Sequence, residues 1–217
     1  MKERQMNKGF LFSIFAVALS WSTAVVFAQE QASAPSFKEG DTWQFNITRK
    51  GQISSSTDQN EGMYELSVTQ GVVKLYDVNG GQKNEKPIAP DGPTQALLRL
   101  IGKSDQRTDL IFPLSVGQKW AYDFVTRPPG SKFNQRRSAE VNVVGMEQVT
   151  TPAGNFKAYK LIKSESWSVG SRFGQRGSSA TTYFYSPETH SIVKSSSLNN
   201  DNPGTIETEL LKFTPGY

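Results

Sequence analysis

Apolar residues recur at every second position along most of this chain, and that period admits little besides half-buried β-strands. Trp43, Phe45 and Ile47 alternate with Gln44, Asn46 and Thr48. Tyr64, Leu66 and Val68 alternate with Glu65, Ser67 and Thr69. Trp120, Tyr122 and Phe124 share a face, as do Val141 with Val143 and Tyr159 with Leu161, and Tyr183-Phe184-Tyr185 continues the pattern. Successive strand side chains point to opposite faces, so each run places one apolar face against a core and one polar face in water. Turn chemistry separates the runs: Asn79-Gly80-Gly81, Thr151-Pro152-Ala153-Gly154, Ser186-Pro187-Glu188 and Asn202-Pro203-Gly204. One short helix is expected, Thr94 to Ile101 after Pro93, with Leu97, Leu98 and Ile101 at helical spacing. The fold expected is mainly β, an antiparallel meander forming a curved half-barrel or barrel.

The pattern contains an internal repeat. Phe37 to Ile47 aligns with Leu114 to Phe124 as apolar-x-x-Gly-x-x-Trp-x-aromatic-x-apolar. Each copy reads as a glycine-permitted bend feeding a strand whose inward face is Trp, aromatic, apolar. The repeat divides the β domain into halves 37–93 and 110–214. After the second copy, strands are expected at Lys119 to Thr126, Ser138 to Val149, Phe156 to Trp167, Thr181 to Tyr185, Ser191 to Leu198 and Thr205 to Phe213.

The first 28 residues read as a signal peptide. Lys2, Arg4 and Lys8 precede an uncharged apolar run from Gly9 to Phe27, and Val26-Phe27-Ala28 offers small residues for cleavage before Gln29. The alternative is an uncleaved anchor in the inner membrane, which Ser13, Ser20, Ser22 and Thr23 disfavour by diluting the run. Residues 29–36 form a polar tether and 37–217 one β domain. The expected location is the periplasm or another exported site. Lys2, Arg4, Lys8 and Glu3 leave with the leader, so the net charge falls from +4 to +2, 21 basic residues against 19 acidic. That balance gives no nucleic-acid footprint. The chain has no cysteine, which removes disulfides, thiolate metal sites and a thiol nucleophile, and leaves the core alone to hold the domain.

Three segments carry a resemblance. Phe112-Pro113-Leu114-Ser115-Val116-Gly117-Gln118-Lys119-Trp120, then Val143 to Phe156 (VVGMEQVTTPAGNF), then Tyr185-Ser186-Pro187 occur in that order. In this the chain resembles an uncharacterised family of exported Gram-negative β proteins, over roughly Phe112 to Ser197. The resemblance implies a β-rich periplasmic or outer-membrane-associated domain. More loosely, the pattern is similar to the half-barrels of lipoprotein carriers, which wrap an apolar concavity; that likeness concerns fold and not function.

Catalytic constellations are weak. The single histidine, His190, follows the Pro187 turn, and no Gly-x-Ser-x-Gly elbow exists to use it. Glu147, Glu165, Glu207 and Glu209 lie on or beside strands and could in principle supply a glycosidase pair, but they read first as outward strand charge. No metal or cofactor site is expected. Two loops stand out: Ser131-Lys132-Phe133-Asn134-Gln135-Arg136-Arg137-Ser138 and Ser171-Arg172-Phe173-Gly174-Gln175-Arg176-Gly177-Ser178 share Ser-(Lys/Arg)-Phe-x-Gln-Arg-x-Ser. Two strands separate them in a meander, so they are expected at one end of the sheet. The candidate binding residues are therefore Arg127, Lys132, Phe133, Arg136, Arg137, Arg172, Phe173 and Arg176, with guanidinium forks suited to phosphate or carboxylate. The function expected is non-enzymatic: an envelope protein binding an amphiphile or an anionic component such as lipid or lipopolysaccharide, with the aromatic concavity as floor. The alternatives are an assembly factor presenting sheet edges and loops to a protein partner, and a carbohydrate-active enzyme.

Overall fold

A computed structural model of the chain describes residues 31–51, 62–87, 97, 109–127, 132–170, 174–199 and 204–217. The signal peptide and all of the expected helix except Leu97, which is buried, lie outside the described residues.

Twelve strands follow in order: β1 (Gln31–Ala32), β2 (Thr42–Gly51), β3 (Gly62–Thr69), β4 (Val72–Asn79), β5 (Gln82–Lys86), β6 (Leu114–Ser115), β7 (Lys119–Thr126), β8 (Gln135–Thr151), β9 (Gly154–Val169), β10 (Arg176–Ser186), β11 (Ser191–Asn199) and β12 (Gly204–Thr214). Ten of them form one antiparallel sheet in the order β5-β4-β3-β2-β12-β11-β10-β9-β8-β7. Every neighbouring pair is consecutive in sequence except β2 with β12, where the first long strand meets the last. Among the described residues β5 and β7 are ends rather than partners, so the sheet is an open half-barrel and not a closed barrel. The six strands expected after the second repeat copy all form. Residues 31–32 of the tether also join the fold, as β1 paired to β6 with Ala32 buried.

The repeat is reproduced bond for bond at its bends. Gly40 (φ 85) and Gly117 (φ 87) both occupy the left-handed region, where a Cβ would be strained. The Gly40 N–H donates to the Val68 carbonyl (3.0 Å), and the Val68 N–H donates to the Asp41 carbonyl (2.9 Å). In the second copy the Gly117 N–H donates to the Val143 carbonyl (2.7 Å), and the Val143 N–H donates to the Gln118 carbonyl (2.9 Å). Even the side chain after the glycine is used in the same way. Asp41 accepts from the Lys38 N–H (2.7 Å), and Gln118 accepts from the Ser115 N–H (3.1 Å).

Curvature comes from bulges. An extra residue enters β8 between Val143 and Gly145, β11 between Ile192 and Lys194, and β12 between Leu210 and Lys212. Each bends its strand and adds twist. The concave face holds the core: Trp43, Phe45, Leu66, Val143, Leu161, Tyr185 and Leu210 are almost entirely removed from water. Trp43 donates its indole N–H to the Thr189 carbonyl (2.8 Å), stands edge-on to Phe37 and stacks on Phe213. Phe37, Leu110, Phe112 and Val116 pack against this face from the connecting segments, Phe112 edge-on to Tyr185 at 5.3 Å. Around these residues the aromatic face is packed by the chain itself. Trp120 departs from its repeat counterpart: Trp43 is fully buried, Trp120 only partly.

Candidate functional site

Strand alternation sorts the predicted rim residues onto two faces. On β8, Arg137 shares the core face with Ala139, Val141 and Val143, while Arg136 faces solvent with Ser138. Arg137 is bound there: its guanidinium donates to the Gln135 side chain (2.8 and 3.2 Å) and forms an ion pair with Glu165. Alternation turns it inward, where its side chain is still 28% exposed.

Arg136 and Arg176 do come together. Arg136 on β8 and Arg176 on β10 lie opposite the same residue of the strand between them, Ser168 on β9. Two strand spacings separate them, about 10 Å. Neither guanidinium meets an acid among the described residues. Two residues further in, Asp123, Ser138, Ser166 and Ser178 form a second row across four strands. Arg136, Arg176, Val125, Asp123 and the serines at 138, 166 and 168, together with Phe124, Arg137 and Trp167, line a depression of about 700 Å³ at this corner of the sheet. Small serines leave the space, and the longer side chains wall it. Of the other rim residues, Arg127 donates to Asn134 (3.0 Å), Lys132 is exposed and Phe133 is half exposed at 51%. Arg172 and Phe173 lie outside the described residues.

Several other cations of the sheet are ion-paired. Lys50 pairs with Glu207 (2.7 Å), Lys194 with Glu209 (3.0 Å) and Lys160 with Glu147 (3.5 Å). The same pairs occupy three of the four carboxylates considered for a glycosidase. The fourth, Glu165, is not the outward surface charge expected. It projects onto the core face between Arg137 and Lys163. Burial alone would raise its pKa, but the charges of Lys163 and Arg137 outweigh burial and hold the carboxyl below the ordinary glutamate range.

Glu165 belongs to a buried charged network that sequence reading missed. Lys163, its side chain 5% exposed, lies 3.0 Å from Glu165 and 3.0 Å from Asp109, which is 1% exposed. Asp109 also accepts from the Tyr122 phenol and from Tyr183 (3.4 Å). Burial and the Asp109 charge push the Tyr122 phenol far above its usual range, so it stays protonated and donating. A signal for this existed: Lys163 and Glu165 continue the inward parity of Tyr159 and Leu161, charges where the period demands apolar residues. Nothing in the sequence marks Asp109, whose place is set by how the segment before β6 lies on the sheet. His190 is the last residue of the turn between β10 and β11, at φ 54, and its conformation closes that turn.

Neither a protein-family model nor a curated protein matches the chain. Solved structures similar to it include the following three. A "putative lipoprotein" from Parabacteroides distasonis has a TM-score of 0.44 at 12% identity, covering 86% of this chain and 100% of that one. A "putative exported protein with YmcC-like fold" from Bacteroides fragilis gives 0.34 at 15%, covering 84% and 99%. The "hypothetical lipoprotein YmcC" from Escherichia coli gives 0.38 at 12%, covering 82% and 86%.

Proposed function

We propose that this is an exported, non-enzymatic protein of the cell envelope that holds an anionic component in the depression at the β7–β10 corner. The observation that carries the reading is the pair Arg136 and Arg176 astride Ser168, two guanidinium groups on one face without an acid partner among the described residues. Guanidinium forks bind phosphate or carboxylate oxygens in pairs, and flanking hydroxyls complete such contacts. Lys50, Lys194 and Lys160 elsewhere on the sheet already have carboxylates, whereas Arg136 and Arg176 have none among the described residues. Phe124 and Trp167 line the same depression and offer apolar contact beside the charged group. The charged leader and Val26-Phe27-Ala28 support export and cleavage after Ala28. Non-enzymatic function is supported by the ion pairing of all four candidate glutamates.

The test is binding of the mature protein to vesicles containing anionic phospholipid, and to lipopolysaccharide, across a salt series. Wild type should bind and lose affinity as salt rises. Arg136→Ser with Arg176→Ser should bind at least about tenfold more weakly, two charge-assisted contacts being lost. Equal affinity in wild type and the double variant overturns the reading.

A further inference from the structure

The two ends of the sheet are built differently. Strand β5 is Gln-Lys-Asn-Glu-Lys, exposed throughout, and its Lys83 and Lys86 reach back to Glu65 and Asp77. Charged, short strands of this kind resist pairing with another chain. Strand β7 is Lys-Trp-Ala-Tyr-Asp-Phe-Val-Thr, eight residues long, with Lys119 and Asp123 as its only charged side chains, of opposite sign. Among the described residues no strand lies along its outer edge.

The internal repeat allows a direct comparison of β7 with β2. Strand β2, the counterpart of β7, carries Trp43, Phe45 and Ile47 buried, because β12 lies along it and Phe213 stacks on Trp43. With the same bend and the same pattern, Trp120, Tyr122 and Phe124 are only partly covered. The hydrogen-bond parity of β7 is also known. The Val143 N–H donates to the Gln118 carbonyl, and the register then runs Lys119 with Asn142 and Trp120 with Val141. Bonded pairs alternate in an antiparallel ladder, so Trp120, Tyr122 and Phe124 bond to β8. The N–H and C=O groups of Lys119, Ala121, Asp123 and Val125 point away from it.

The geometry points to a second copy of this chain as the partner: β7 pairs antiparallel with β7 of the other protomer, about a two-fold axis through Ala121. In this register Ala121 faces its own copy, and Lys119 of each protomer faces Asp123 of the other, twice. Registers centred on Lys119 or on Asp123 place like charges opposite one another and are disfavoured. The pairing joins outward-pointing groups to outward-pointing groups, as the ladder requires. On the core face it sets Trp120 beside Tyr122 of the other copy. Anion binding at the corner is not needed for this inference.

Two measurements test it on the full mature chain. Sedimentation equilibrium from about 1 to about 300 µM should show reversible dimerisation, the affinity range of a small single-edge interface. Lys119→Asp and Asp123→Lys should each weaken it roughly tenfold, and the double reversal should restore it. Because the chain has no cysteine, Ala121→Cys introduces one thiol at the axis. Bonded cross-strand Cα atoms lie about 5.5 Å apart, within disulfide reach. Oxidation should give covalent dimer, and Gln82→Cys on the β5 edge should not. A wild type that stays monomeric throughout, a double reversal as weak as the singles, or equal cross-linking of the two cysteines overturns the proposal.

Discussion

Replacing Lys163 with methionine nearly keeps the length of the side chain and removes its charge, which isolates what the ammonium does beneath the sheet. In the native protein that ammonium lies 3.0 Å from both Asp109 and Glu165, with all three side chains largely out of water. Removing one member of a buried ion network leaves the others uncompensated, at about 3–5 kcal/mol. Arg137 still neutralises Glu165, so the lower half of that range is expected. For a domain of this size each kcal/mol shifts the melting temperature by roughly 2–4 °C, giving a fall of about 10 °C at pH 7. The pH dependence is more diagnostic. Glu165 has a folded pKa below its unfolded value, so its contribution is present above the unfolded pKa and is lost as pH falls through the folded one. In the variant the lowering charge of Lys163 is gone, and protonation relieves the exposed conflict between carboxylates. The deficit relative to wild type should therefore narrow as pH falls from 7 toward about 4.5. Urea denaturation at both pH values measures it. A loss under about 1 kcal/mol at pH 7, or a deficit unchanged with pH, refutes the buried network as drawn.

The two repeated tryptophans should separate by burial. Trp43→Ala should cost roughly 3–5 kcal/mol, plus about 1 for the carbonyl of Thr189 left without its donor, and Trp120→Ala about half as much; equal losses on thermal melting contradict the packing described. Gly216→Ala drives a Cβ into the Glu39 carbonyl oxygen, so the C-terminal residues should release from the Gly40 bend, read as faster amide exchange at position 216, whose N–H bonds Asp41. Unchanged exchange there refutes the close approach.

Much of the fold was legible because a strand's period is local: Trp43-Phe45-Ile47 and Trp120-Tyr122-Phe124 declare their faces without reference to anything distant. Gly40 and Gly117 were legible for the same reason, since a bend in the left-handed region selects glycine within a few residues. The corner site was legible as far as topology carries: a meander places loops two strands apart at one end, and Arg136 and Arg176 do flank Ser168. The same alternation turns Arg137 and Glu165 inward, against the expectation of surface charge at both. Three things belonged to tertiary structure alone. The pairing of β2 with β12 joins opposite ends of the β domain, Thr42 to Thr214, a choice no local pattern encodes. The placement of Asp109 against Lys163 depends on the path of a connecting segment. The difference between Trp43 and Trp120, identical in local pattern, arises because a strand lies along one and none among the described residues lies along the other. Burial belongs to neighbours, and neighbours are chosen by the whole chain.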